Sequence, residues 1–182
     1  MIIRTISRAF NILKFEKNTY LEISLDKNSV YGSGIIILTA ALVNVNIFNV
    51  YVLPNLPIKV PLFYVFFMWI FFNWFIFSIV IQFVAKAIGA GKNFENKKIA
   101  LSFIGFSNTA EILKIIIIFF PNFIVLISWG VLMLVLASQV LGAKQIYNLK
   151  STSIAIGAVI IAYITQFLII GFIVLILIKL AY

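Results

Sequence analysis

The fold of this chain is decided by residues 62–88, which read LFYVFFMWIFFNWFIFSIVIQFVAKAI. Lys86, near the end of the stretch, is its only charged residue. A run of about eighteen or more residues with so few charges can cross the hydrocarbon core of a bilayer as a helix. Apolar residues cover every side of that helix, as expected where lipid and neighbouring helices surround it. Residues 62–88 therefore predict a transmembrane helix.

Further apolar runs flank this stretch and predict an all-α fold, a polytopic transmembrane helical bundle. Pro54, Pro57 and Pro61 separate the central run from the one before it, since proline cannot continue a helix. A basic cytoplasmic segment, residues 1–30, precedes a single transmembrane domain, residues 31–182. The five predicted spans cover residues 33–53, 62–88, 99–120, 122–141 and 152–178.

Residues 99–141 allow two interpretations. At about 20 residues per crossing they hold two helices joined by a tight turn at Pro121-Asn122. Alternatively, residues 99–114 are a re-entrant or interfacial segment and residues 115–141 are one long kinked helix, which leaves four spans. Either interpretation places most of the 14 Lys and Arg residues on the side of the N-terminus. By the positive-inside rule, the N-terminus is cytoplasmic, and in the five-span case the C-terminus is outside.

The composition excludes a soluble domain and a nucleic-acid-binding protein. The chain is 64% hydrophobic and only 10% charged, whereas about a quarter of the residues in soluble domains are charged. Its net charge of +9 comes from basic residues that lie between apolar runs rather than on one face. That pattern is explained by membrane orientation, and we expect no nucleic-acid partner.

Residues 1–17 predict a basic amphipathic helix. Ile3, Ile6, Phe10 and Leu13 recur at helical spacing, with polar and basic residues between them. Such a helix can lie on an anionic membrane leaflet, so its basic residues are candidate membrane-surface contacts. The alternative is an ordinary helix packed on the bundle beside the membrane. The candidate membrane-surface residues are Arg4, Arg8 and Lys14.

One polar stripe interrupts the predicted third span. Glu111 and Lys114 lie three residues apart on one helix face and can pair, with Ser107 one turn earlier and Asn108 beside it. Charges inside a membrane span are costly and often mark function. Ser107, Asn108, Glu111 and Lys114 are therefore the candidate intramembrane site, either a proton or cation path or a contact between helices. In the four-span interpretation these residues form the water-exposed face of a helix at the membrane interface.

Catalysis is not expected from this sequence. The chain has no His and no Cys, so it lacks imidazole and thiol groups as nucleophiles or as metal or haem ligands. A general acid–base pair would also need more than the single intramembrane carboxylate of Glu111. We predict no catalytic, cofactor-binding or metal-binding residues. Intramembrane amides such as Asn44 and Gln139 are interpreted as hydrogen-bonding groups between helices.

Several short motifs, spread over most of the chain, resemble those of the YIP domain family, the Rab/Ypt-interacting membrane proteins and their prokaryotic relatives. Ala110 departs from the pattern, because many relatives carry proline at this point. The matching elements are Phe10 and Leu13 in the first helix, Gly89-Ala90-Gly91 with Phe94 after the second span, Gly105-Phe106-Ser107 in the third, Trp129 in the fourth, and Leu149 to Ala155 before the fifth.

The resemblance implies five spans, a cytoplasmic N-terminus, and a protein that scaffolds or shapes membranes. Its expected function is that of a non-catalytic scaffold or accessory subunit in the cell membrane of a prokaryote. Its expected partners are the lipid bilayer and other membrane proteins or a second copy. Eukaryotic members bind Rab-type GTPases, but this compact form has little cytoplasmic surface for a small GTPase. The alternative function is a small transporter or channel component that uses the stripe around Glu111.

Overall fold

The computed structural model describes residues 2–55, 61–88 and 97–181. Five helical segments among these residues are long and apolar enough to cross a membrane, and we number them spans 1 to 5. The chain is therefore an all-α, multi-pass membrane protein, which confirms the predicted fold class. The spans are Ser29–Val52, Leu62–Ala87, Lys97–Ile118, Pro121–Ile146 and Thr152–Ile173.

Four of the spans are not wound as α-helix throughout, and the fourth of them, span 4, begins with a short 3₁₀ turn at Pro121–Phe123. A π-helical turn ends span 1 and another lies within span 2, while the second half of span 3 is a 3₁₀-helix. In chain order the main elements are α1 (Ile2–Leu13), α2 (Lys17–Leu25), α3 (Ser29–Ile47), a π-helical turn (Phe48–Val52), α4 (Leu62–Ile70), a π-helical turn (Phe71–Ile76), α5 (Phe77–Ala87), α6 (Lys97–Ser107), a 3₁₀-helix (Asn108–Ile118), α7 (Ile124–Ile146) and α8 (Thr152–Ala181).

The helical structure is interrupted between spans 3 and 4, at Phe119 and Phe120. The 3₁₀-helix ends at Ile118 and the next helical turn begins at Pro121, whose fixed φ and missing N–H suit the first position of a helix. Residues 99–141 therefore form two long helices, as in the five-span interpretation. The predicted glycine-rich loop of Gly89, Ala90 and Gly91, with Lys92 and Phe94, lies outside the described residues, as does Pro57.

Span 3 is the central helix of the bundle. In its most apolar stretch 61% of the residues are buried, against 22–33% in the other four spans. It runs parallel to span 1, because contacts between the two spans follow the same order along both. The hydroxyls of Ser29 in span 1 and Ser102 in span 3 lie 2.8 Å apart. Later in both spans, Asn44 of span 1 contacts Glu111 of span 3. Gly105 permits their close approach, since a Cβ at this glycine would overlap the side chain of Ser33.

Residues 2–25 form a helical hairpin that packs on the bundle. The chain turns between α1 and α2 at Phe15, which has a left-handed φ of 59°. Tyr20 and Ile23 of α2 lie in the main hydrophobic core, and a Cβ at Gly142 of span 4 would lie 2.9 Å from Cδ1 of Tyr20. Burial raises the pKa of Tyr20 to about 12, so its hydroxyl is uncharged at neutral pH.

The amphipathic helix α1 turns its apolar side away from the protein. Ile3 is 85% exposed and Phe10 is also exposed, whereas Thr5 and Arg8 are buried against the bundle. In water this arrangement would be unfavourable, but in a bilayer the outward side of such a helix contacts lipid. The helix is thus packed on the bundle, the alternative that the sequence left open, with part of its polar side turned inward.

Candidate functional site

The 3₁₀ winding of span 3 aligns its polar side chains. A 3₁₀-helix has three residues per turn, so residues three apart lie directly above one another. Asn108, Glu111, Lys114 and Ile117 therefore share one line along the helix. Glu111 and Ile117 are buried and Lys114 is partly buried, which shows that this line faces the interior of the bundle.

Glu111, Lys114 and Asn44 form a closed set of polar contacts between spans 1 and 3, which we call the Asn44–Glu111–Lys114 cluster. Lys114 Nζ lies 2.6 Å from Glu111 Oε2. Asn44 Nδ2 donates a hydrogen bond of 2.9 Å to the same carboxylate oxygen, and Lys114 Nζ donates one of 3.1 Å to Asn44 Oδ1. Each member thus contacts the other two, and the opposite charges offset each other within the bundle.

Asn44 is held in place by its own helix. Its Nδ2 also donates to the backbone carbonyl of Ala40, one turn earlier, at 2.9 Å. The amide therefore contacts the carboxylate through its N–H group and the ammonium through its carbonyl oxygen. The sequence had suggested Asn44 only as a general hydrogen-bonding group. Nothing in the spacing indicated that it would meet Glu111, which lies 67 residues away in the chain.

The other two residues of the predicted stripe do not join the cluster. Asn108 turns back on its own helix, where its Nδ2 donates to the carbonyl of Ile104 at 2.8 Å. The Ser107 hydroxyl is buried and has no hydrogen-bond partner among the described residues. Ser107 ends α6, and the change to 3₁₀ winding directly after it takes it off the line of Glu111 and Lys114.

The cluster has the chemistry of a structural contact between helices. Glu111 is only 8% exposed, and it lines neither the span 2–span 5 groove described below nor the cavities beneath α1. Each charge is paired with its immediate neighbour, the Glu111 carboxylate with the Lys114 ammonium. Within the described ranges, no group of His, Cys, Asp or Glu residues is arranged to hold a metal ion.

The candidate membrane-surface residues differ in their surroundings. Arg8 is buried, and its Nη1 lies 2.7 Å from Oδ2 of Asp26, whereas Arg4 is largely exposed at 3.6 Å from the same oxygen. Lys14 is exposed at the start of the hairpin turn. Hydrogen bonds from the Asn28 backbone N–H and from Arg8 hold the pKa of Asp26 below its usual range. Arg8 is therefore turned towards the protein, whereas Arg4 and Lys14 are exposed.

A second polar feature, which the sequence does not predict, lies in a groove between spans 2 and 5. We call it the span 2–span 5 groove; its volume is about 510 Å³. Gln166 is 6% exposed, and its Oε1 has no hydrogen-bond partner among the described residues. Part of the aromatic surface of span 2 forms one wall. The lining residues are Tyr64, Val65, Met68, Trp69, Phe72, Asn73, Tyr163, Gln166, Phe167 and Ile170.

Comparison with known proteins gave no relative: no family model, no curated protein and no solved structure matches the chain.

Proposed function

We propose that the protein is a non-catalytic membrane scaffold or accessory subunit that binds a transmembrane helix of another membrane protein. The observation that carries the proposal is the span 2–span 5 groove with its unpartnered acceptor on Gln166. The Asn44–Glu111–Lys114 cluster supports it, because these charges are satisfied within the bundle. A transporter or channel that used Glu111 would need a water-accessible path to that carboxylate.

The chemistry of the groove favours a helix over a lipid chain. A buried acceptor without a partner costs free energy, and that cost is recovered when an occupant donates a hydrogen bond to it. An acyl chain has no donor, whereas a transmembrane helix with a Ser, Thr, Asn or Gln side chain can reach across the interface. The aromatic side chains of Tyr64, Trp69 and Phe72 supply apolar contact area around Gln166.

The proposal is tested by photo-crosslinking in native membranes. A photoreactive residue in place of Met68, which lines the groove, is expected to give a discrete adduct with another membrane protein. Met133 is the matched control, because it is a methionine of similar exposure on span 4 and lies outside the groove. Adding Gln166→Leu should weaken the Met68 adduct. Lipid adducts alone at Met68, or the same protein adduct at Met133, would argue against a helix-binding groove.

The proposed orientation is that of the YIP domain family, with the N-terminus in the cytoplasm and the C-terminus outside, in the cell membrane of a prokaryote. It is supported by the resemblance and by the surplus of Lys and Arg on the side of the N-terminus. A reporter enzyme fused after Tyr182 is expected to be active outside the cytoplasm. A C-terminal fluorescent protein that is bright in the cytoplasm would contradict this orientation.

A further inference from the structure

Two cavities adjoin beneath α1, and Thr5 lines both. The first is polar, has a volume of about 340 Å³, and lies where span 1 begins. The second is almost entirely apolar, has a volume of about 300 Å³, and continues along α1 towards Leu13. A site with a polar end followed by an apolar slot matches a molecule built in the same order, an amphiphile.

The polar cavity presents positive charge. Arg4 and Arg8 both line it, together with Asp26, so the arginines outnumber the single acidic residue. Arg8 is 8% exposed, and its Nε has no hydrogen-bond partner among the described residues. The carboxylate of Asp26 pairs with Nη1 of Arg8 and so fixes the guanidinium in place. The Nε–H of the same guanidinium remains as a donor without a partner. A buried guanidinium with a free donor is suited to an anion.

The apolar slot has the dimensions of part of an acyl chain. Along α1 it extends from Thr5 to Leu13, which corresponds to about 12 Å of helix, a little less than half the hydrocarbon core. Ile36 and Thr39 of span 1 form a second wall of the slot, and Ile112 of span 3 also lines it. A single hydrocarbon chain is thin enough to lie along such a slot.

We propose that this site binds one anionic phospholipid, with its phosphate at Arg4 and Arg8 and one acyl chain in the slot beneath α1. Basic pockets between membrane helices are known to hold anionic headgroups, and the order of the two cavities here adds a place for the chain. This inference does not depend on the span 2–span 5 groove. The bound lipid would connect the N-terminal hairpin to spans 1 and 3.

The experiment is a lipid titration of the delipidated full-length protein in neutral detergent, followed by native mass spectrometry. Dioleoyl phosphatidylglycerol is expected to bind about thirtyfold more tightly than dioleoyl phosphatidylcholine, at about fivefold for each arginine. Glycerol 3-phosphate, which has the headgroup chemistry without the chains, is expected to bind far more weakly. Equal affinity for the two lipids, or equal binding of glycerol 3-phosphate and phosphatidylglycerol, would overturn the proposal.

Two pairs of variants separate the headgroup and chain contributions. Arg4→Gln, at an exposed residue, should reduce phosphatidylglycerol affinity about fivefold, whereas Lys150→Gln, an exposed basic residue away from the cavity, should not. Thr39→Trp fills the slot and should reduce the affinity for both lipids about tenfold or more. Each methylene group of the acyl chain that is kept out of the slot no longer contributes its burial to binding. Thr165→Trp is its control, since Thr165 makes the same backbone hydrogen bond one turn back on span 5.

Arg8 is tested together with its partner. The double variant Arg8→Gln and Asp26→Asn removes one charge of each sign and avoids leaving Asp26 unpaired. It should remove most of the preference for phosphatidylglycerol and leave a monodisperse, folded protein. A folded double variant that keeps the full preference would exclude Arg8 as a ligand, and a Thr39→Trp variant that binds both lipids normally would exclude the slot.

Discussion

Lys114→Met is expected to lower the free energy of unfolding by about 3–5 kcal/mol, the cost of removing one partner of a buried ion pair. The variant leaves the Glu111 carboxylate inside the bundle with only the Asn44 amide as a donor. The exposed Lys150 is the control, and Lys150→Met should change stability by less than about 0.5 kcal/mol. The measurement is reversible unfolding by a denaturing detergent in mixed micelles.

A second variant decides whether the loss comes from the unpaired charge. Glu111→Met combined with Lys114→Met removes both charges and leaves Asn44 bonded to the carbonyl of Ala40. Well-packed apolar residues replace buried ion pairs with little loss, so the double variant should be more stable than Lys114→Met alone. If the effects of Glu111→Met and Lys114→Met simply add, the two residues do not act as a pair.

Gly105→Ala is expected to destabilise the protein by about 1–3 kcal/mol through overpacking. The new Cβ would overlap the Ser33 side chain and lie 3.0 Å from the Ser33 carbonyl oxygen, so spans 1 and 3 would have to separate. The same separation would lengthen the contact between Asn44 and Glu111. The measurement is again reversible unfolding in mixed micelles.

The chain provides both a control and a rescue for this substitution. Gly130 of span 4 has nothing within 4 Å of an added Cβ, so Gly130→Ala should be neutral or stabilising by up to about 1 kcal/mol. Ser33→Gly removes the side chain that the new Cβ meets, so it should restore part of the stability lost in Gly105→Ala. Equal effects of Gly105→Ala and Gly130→Ala would show that close packing at Gly105 is not what matters.

The spans could be predicted because apolar length and proline position determine them almost alone. Residues 62–88 are too long and too apolar for any other structure, and Pro121 marks a turn. The hairpin could not be predicted in the same way. The spacing of apolar residues shows that α1 is amphipathic, but it does not say which side faces the protein. In water the apolar side packs against the protein, whereas in a bilayer that side can face lipid instead. The helix α2 was missed, since residues 17–25 carry only a weak apolar pattern.

The candidate site was predictable only in part. The pairing of Glu111 with Lys114 follows from a spacing of three residues, and the structure shows that contact. Asn44 could not be assigned to it, because the sequence gives no register between spans 1 and 3. Ser107 was expected on the same face by α-helical spacing, and the change to 3₁₀ winding after it breaks that spacing. Gln166 was not singled out because an isolated amide in a span carries no distinguishing pattern.

The 3₁₀ winding of span 3 also has a consequence for hydrophobic matching. Spans 2 and 4 have 26 residues each, whereas span 3 has 22. A 3₁₀-helix rises about 2.0 Å per residue instead of 1.5 Å, so span 3 reaches about 38 Å and nearly equals its longer neighbours. The same residues wound entirely as α-helix would end about 6 Å short of spans 2 and 4. The 3₁₀ winding thus lets a span with four fewer residues match the hydrophobic thickness that its longer neighbours cross.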